Sequence, residues 1–319
     1  MAADGSKKVV LAALAGNALI FVTKLAASMY TGSSAMLSEA IHSLVDTGNQ
    51  GLILYGMARA KKPADKDHPF GYGMELYFWS FVVAILIFAV GAGVSIYEGI
   101  EKIQHPETIK DAYINYIVLA AAFIFEGVAW WVALKEFRKS KGDMGYFEAV
   151  RQSKDAAVFT VLFEDTAAML GLVVAFVGIA LAEAFELAVL DGVASVIIGL
   201  ILAAVAGFLA YECKGLLVGE SASNPVVRGI RAIAEGEDGV KGVNELRTMH
   251  LGPADVLVNI SLDFGSSLSA DDIERLISKM ERDIKSAYPQ VRHLFVEAQS
   301  LTAHMADISA GRQGAAPKN

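Results

Sequence analysis

Apolar residues run in long blocks through the first two-thirds of the chain, and from about Cys213 onward the pattern changes to short alternations set among charges. Six segments of the first part reach the roughly 20 residues of helix that a hydrocarbon core of about 30 Å requires. They are Val9 to Tyr30, Ser34 to Met57, Tyr77 to Tyr97, Tyr113 to Leu134, Ala156 to Leu181, and Leu187 to Tyr211. The third contains the uninterrupted WSFVVAILIFAVGAGV; the second, fourth, fifth and sixth carry acids, and the first carries Lys24.

Beyond them the pattern predicts a small soluble module of about ninety residues. ASNPVVRGIRAIAEG reads as a helix entered through Asn-Pro, and VLVNISLDF alternates as a half-buried strand. SADDIERLISKMERDIKSAYP sets Ile273, Leu276, Ile277, Met280 and Ile284 on one helical stripe. HLFVEAQ and a stretch near Val243 to His250 are further strands, which together give a small α+β sandwich. The domain reading is 1–212 for the membrane part and 213–300 for the soluble part. Residues 301–319, ending AGRQGAAPKN, read as a disordered tail.

Composition agrees with several membrane spans, at 54% hydrophobic residues over 319 and a mean hydropathy of +0.45. Basic residues gather on one side of a six-span arrangement: Lys7 and Lys8, the Arg59 to Lys66 cluster, the Lys135 to Lys154 run, and Lys214. The opposite side has Lys102 and Lys110, so both termini are expected on the cytoplasmic side. The net charge of −8 does not alter this, because the rule counts Lys and Arg in short loops. One cysteine, Cys213, excludes an internal disulfide framework and a CxxC metal knuckle. MAADGSKKVV and the run after it read as a retained first span. The loop FRKSKGDMGYFEAVRQSKD reads as solvated, with no nucleic-acid patch.

The second span, in SEAIHSLVDTGNQ, carries Glu39, His42 and Asp46 at spacings that share one helical face. Charged groups at mid-bilayer cost several kcal/mol each unless they meet a partner, a cavity or an ion. An imidazole and a carboxylate one turn apart can grip a divalent cation from one side. The fifth span answers with Glu164 and Asp165 in TVLFEDTAAMLG; adjacent residues diverge by about 100°, so one of them faces the second span more squarely. His42, Asp46, Asp165 and Glu164 are the candidate metal ligands. The plain alternative is a structural His-Asp hydrogen bond. Glu126 in FIFEGVAWW leaves a proton-relay role and a packing role both open, and Lys24 reads as an interhelical hydrogen-bonding group.

GSSAMLSEAIHSLVDTGNQ, DKDHPFGYGMELYFW and LDGVASVIIGLILA, followed by a soluble domain, resemble the cation diffusion facilitators. Within that family SEAIHSLVDTGNQ and LFEDTAAMLG look most similar to the zinc transporter nine-like branch. The resemblance implies an all-α six-helix transmembrane domain and a small cytosolic α+β domain, ferredoxin-like or metallochaperone-like. It also implies a homodimer in a lipid bilayer, and export of a divalent metal against protons. The family's site takes two ligands from the second span, matching His42 and Asp46, and two from the fifth, of which one matches Asp165 and the other falls on Val161. Glu164 is the substitute, and a carboxylate-rich set would shift preference from Zn²⁺ toward Mn²⁺, Fe²⁺ or Co²⁺. A loop site would fall on Asp65, His68 and Tyr72, where Tyr72 is a poor ligand. In the soluble domain a family histidine position holds Ser261, and the last strand offers Glu297. His250, His293 and His304 read as surface residues, and Asp191 as a residue at the membrane edge that costs little.

An intramembrane metalloenzyme would want a motif such as HExxH, which the chain lacks, so no enzyme is expected. A membrane metal sensor or scaffold, motivated by Val161, is the rival reading, and a channel is a third. Short loops favour a bacterial inner membrane.

Overall fold

Long apolar blocks become long helices. The computed structural model describes residues 2–141, 145 and 156–314. It divides into two compact units: residues 1–62 with 75–214, and residues 63–74 with 215–319. The first unit holds α1 (Ala2–Thr31), α2 (Ser34–Ala60), α3 (Glu75–Gln104), α4 (Tyr113–Lys141), α5 (Ala156–Ala184) and α6 (Val189–Val218, whose last residues run past the division). Among the described residues four helices are long and apolar enough to cross a membrane, namely α3, Tyr113–Lys135 of α4, Phe159–Ala184 of α5, and α6. α2 falls short because it spends one face on Ser38, Glu39, His42, Ser43 and Asn49, all buried. The bundle is apolar on the outside: Phe88, Ile117, Ile124, Val132 and Leu200 are all exposed, as the lipid-facing side of a helix should be.

α1 ends at Gly32, whose φ of +73° suits a residue with no Cβ and whose N–H returns to Ser28 O at 2.8 Å. Ser33 then caps α2, accepting from Met36 N at 3.1 Å. Asp191 at the start of α6 completes that cap. It accepts from Ser33 Oγ (2.7 Å), Ser34 N (2.6 Å), Ser34 Oγ (3.1 Å) and Ala35 N (3.3 Å). Asp191 is therefore fully buried and ties two helices, which corrects the expectation of an inexpensive edge residue. Midway along α3, Ile87–Ala92 widens into a π-helical turn. α2 lies against α1, α3 and α5, and α4 lies against α1 and α5.

The second unit runs α7 (Asn224–Glu235), β1 (Val240–Gly252), β2 (Asp255–Phe264), α8 (Ala270–Ala287), β3 (Val291–Ala298) and α9 (Leu301–Gly314). Its sheet has the order β1-β2-β3, with β1 and β2 antiparallel and β2 and β3 parallel. The parallel pair requires a crossover, and α8 supplies it. Val256, Val258, Ile260 and Leu262 alternate into a core with Ile230, Ala234, Met280, Ile284 and Val291. Three strands make this an α+β module with one strand fewer than a full ferredoxin-like sheet. The segment 63–74 belongs to this unit, where Phe70 stands edge-on to His293 at 5.2 Å between ring centres.

Three expectations are corrected here. Residues 301–314, expected as part of a disordered tail, form α9. His250 is buried, with Nδ1 3.2 Å from Gly252 O in the β1–β2 hairpin. His304 is buried against Gln299 Oε1 at 3.0 Å. Both were read as surface residues; an isolated histidine has no periodicity to betray its packing. Most of the basic run from Lys139 to Lys154 and the last five residues lie outside the described residues.

Candidate cation site

The inner face of α2 reads Glu39, His42, Ser43, Asp46, Asn49, a polar stripe at helical spacing. His42 is 1% exposed, and its Nε2 lies 3.6 Å from Asp46 Oδ2 one turn on. Across from it α5 presents Thr160 and Glu164, four residues apart and both buried. Glu164 Oε1 accepts from Asn49 Nδ2, and its carboxyl is within hydrogen-bonding reach of Asp46. Asp165, next along, is less buried and acts on Asp46 only through its charge. Glu164 is therefore the residue of the pair that faces α2 squarely.

The structure thus brings His42, Asp46 and Glu164 into one region of the bundle interior, with Asp165 at its edge. They stand as pairs and do not form a closed shell: among the described residues no group of three or more His, Cys, Asp or Glu side chains is close enough to hold a metal ion as placed. The region nevertheless has unspent capacity. His42 Nδ1 and Nε2, Asp46 Oδ1, Asn49 Oδ1 and Thr160 Oγ1 are buried and make no hydrogen bond. Buried polar atoms without partners are costly, and a divalent cation or protons are the natural complement to such a set.

Asn49 escaped the sequence reading, although it follows Asp46 by three and His42 by seven; amides carry no charge and draw no notice in a charge census. Lys24 was underrated as well. Its ammonium, fully buried on α1, donates to Glu39 Oε2 at 3.0 Å, Ser43 Oγ at 2.9 Å and Glu126 Oε1 at 2.9 Å. Glu39 is pressed against Gly171 of α5, where any Cβ would run into Glu39 Oε1. Val161, the position expected to lack a ligand, is only partly buried.

The loop candidates have local partners. Asp65 accepts from His68 N (2.8 Å), Asp67 N (3.1 Å) and Tyr72 Oη (2.7 Å), and His68 packs on the Tyr72 ring at 4.2 Å. These bonds, that from Tyr72 foremost, hold the Asp65 carboxyl below its usual pKa. They account for HPFGYG as a turn. Ser261 is buried and Glu297 exposed on neighbouring strands, paired in register.

A helical bundle with an apolar exterior and an imidazole–carboxylate interior, followed by a small sheet domain, defines a multi-pass membrane protein that handles cations. The cation efflux transmembrane domain family matches residues 10–218, and the cation efflux cytoplasmic domain family matches residues 222–299. The chain belongs to the cation efflux family, a transporter family and not an enzyme family.

Similar proteins include the proton-coupled zinc antiporter SLC30A9, mitochondrial, of Xenopus laevis, 34% identical over 89% of this chain and 52% of that protein. The Homo sapiens protein of the same name is 30% identical over 92% of this chain and 58% of its own length. The manganese efflux system protein MneP of Bacillus subtilis is 22% identical over 91% of this chain and 95% of its own. The chain therefore spans 52% and 58% of the length of the frog and human relatives.

Proposed function

We propose that the protein moves a divalent metal cation across a membrane in exchange for protons, with His42 and Asp46 of α2 and Glu164 and Asp165 of α5 as the cargo ligands. The observation that carries this reading is the meeting of His42, Asp46 and Glu164 in the bundle interior, with buried lone pairs left unspent. Metal loads when these groups are deprotonated and leaves when they are protonated, so the same atoms hold M²⁺ or H⁺ in turn. Helix rocking exposes them to one side and then the other.

All six helices span the bilayer in this reading. α2 is the least apolar because its inner face is the site, and both termini lie on the cytoplasmic side with the basic loops. Metal leaves the cytoplasm. Zn²⁺ is the favoured cargo, in keeping with the names of the frog and human relatives; Mn²⁺, Fe²⁺ and Co²⁺ are its competitors at a carboxylate-rich site. The second unit pairs two copies into a homodimer, as its cytoplasmic-domain family supports. The expected bacterial inner membrane is not carried forward, since the frog and human relatives are named mitochondrial.

A binding protein without flux is the second reading, favoured by the absence of a closed three-ligand group among the described residues. Uptake of Zn²⁺, Mn²⁺, Fe²⁺ and Co²⁺ into proteoliposomes under an imposed pH gradient separates the two. Transport predicts saturable flux that Asp165→Ala and Glu164→Ala both diminish. Tight binding with no flux for any metal would select the sensor.

A further inference from the structure

An ammonium has three donors, and Lys24 spends all three, on Glu39, Ser43 and Glu126. Nothing remains for the second oxygen of either acid. Glu39 Oε1 and Glu126 Oε2 are both buried and make no hydrogen bond. The charge count agrees with the bond count: two carboxylates against one ammonium leave one negative charge uncompensated inside the bundle. Isolated charge in such a place costs several kcal/mol. One proton removes the excess charge, because it leaves the triad neutral as a whole.

We infer that Lys24, Glu39 and Glu126 form a second cation site of the membrane unit, separate from the cargo ligands, which takes up one proton in exchange for metal. The inference rests on the transport reading above. A divalent ion does not suit this site, since it would have to share its oxygens with an ammonium already 3.0 and 2.9 Å from the two carboxylates. In the binding step a proton passes from water to a carboxylate oxygen, forming one O–H bond, and no electron changes hands.

The triad is built to communicate with the cargo site. It joins α1, α2 and α4, and on α2 it grips Glu39, three residues before His42, and Ser43, one residue after. The charged and titratable groups around it are Lys24 on α1, Glu39, His42 and Asp46 on α2, Glu126 on α4, and Glu164 and Asp165 on α5. Lys24 acts electrostatically on His42, and Glu126 acts on both Asp46 and Asp165. At Glu39 itself α5 brings Gly171. A metal at His42 and Asp46 and a proton on the triad are like charges in a water-poor interior, so each disfavours the other. By reciprocity, metal binding expels the proton and proton binding loosens the metal. That is the coupling an exchanger requires.

The test counts protons. Zn²⁺ binding to the full chain in detergent is measured calorimetrically in two buffers of different ionisation enthalpy, and the same proteins in liposomes are followed with a zinc dye and a pH dye. Glu39→Gln and Glu126→Gln are expected to release about one proton fewer per Zn²⁺ than wild type, with a shallower pH dependence of affinity. Their uptake should respond less steeply to the pH gradient than that of wild type. Asp46→Ala, by contrast, should lose binding itself. Should either glutamine variant fail to fold, the uncharged combination Lys24→Met/Glu39→Gln/Glu126→Gln carries the same expectation, since neutralising a whole buried ion cluster is tolerated better than halving it. An unchanged proton count in the glutamine variants overturns the inference while leaving transport intact, as does a wild type driven by a Na⁺ gradient in place of protons. A wild type that moves no metal overturns the transport reading first.

Discussion

The two units of the chain invert one another. The membrane unit buries Lys24, Glu39, His42, Asn49, Glu164 and Asp191 and turns Phe88, Ile124 and Leu200 outward. The cytosolic unit buries Ile230, Val258, Ile260, Met280 and Ile284 and leaves most of its charges in water. In the second unit an ion pair such as Lys285 with Glu281 decorates a surface and is screened. In the first, each charge has to be justified by a partner or a ligand, so the interior polar groups are where function is to be sought.

The sharpest way to break that contrast is to remove one charge from each interior and exterior. Asp46→Ala should lower metal affinity and flux by about a hundredfold or more, a ligand loss exceeding the 10–100-fold typical of outer-shell partners. Arg247→Ala, exposed on β1, should leave both within error; equal effects in the two variants would dissolve the distinction.

Lys24→Met comes next. It strands Glu39 and Glu126, and breaking a buried pair from one side costs about 3–5 kcal/mol. The thermal unfolding midpoint of the detergent-solubilised chain should fall by many degrees. Lys285→Met, whose ammonium meets Glu281 at the surface, should leave it in place.

How much of this was legible beforehand differs between the units for the same physical reason. Period-two alternation in VLVNISLDF and the stripe from Ile273 to Ile284 gave the cytosolic core directly, because burying apolar area is a local, one-dimensional pattern. The spacing of His42 and Asp46 likewise gave the α2 half of the proposed cargo site. Partner choice is not local: Lys24 meets acids 15 and 102 residues away, and Asn49 meets Glu164 at a separation of 115. Asp191 capping α2 across 157 residues belongs to the same class. The helical state of 301–314 was missed because its apolar residues, Leu301, Met305 and Ile308, are too few to read as a core stripe, and all three are exposed.

Ile260→Ala sharpens the comparison from the other side. A buried Ile to Ala change costs about 2–5 kcal/mol through lost burial and a residual cavity. It should lower the yield of folded protein, yet the zinc affinity of what folds should match wild type. A matching drop in affinity would mean that the cytosolic module itself holds the cargo.

The smallest effect concerns acid. Asp272 is the fourth residue of the capping box Ser269–Asp272 at the start of α8, and bonds from Ser269 and Arg275 lower its pKa from 3.8 to about 2. A carboxyl with a depressed folded pKa stabilises above its unfolded value, so this contribution is complete above about pH 4 and is lost as pH falls toward 2. Amide exchange at the first turn of α8 should quicken over that window in wild type. Asp272→Asn should show no such pH step; a step of the same size in the variant would exclude this carboxyl as its cause.

The most direct test of the central claim is a zinc-edge anomalous scattering map of the full chain loaded with Zn²⁺. The account predicts a peak between α2 and α5 within bonding distance of His42 and Asp46, with Glu164 or Asp165 drawn in to complete the shell. Zinc confined to the cytosolic unit, with His42 and Asp46 left unligated, would contradict it.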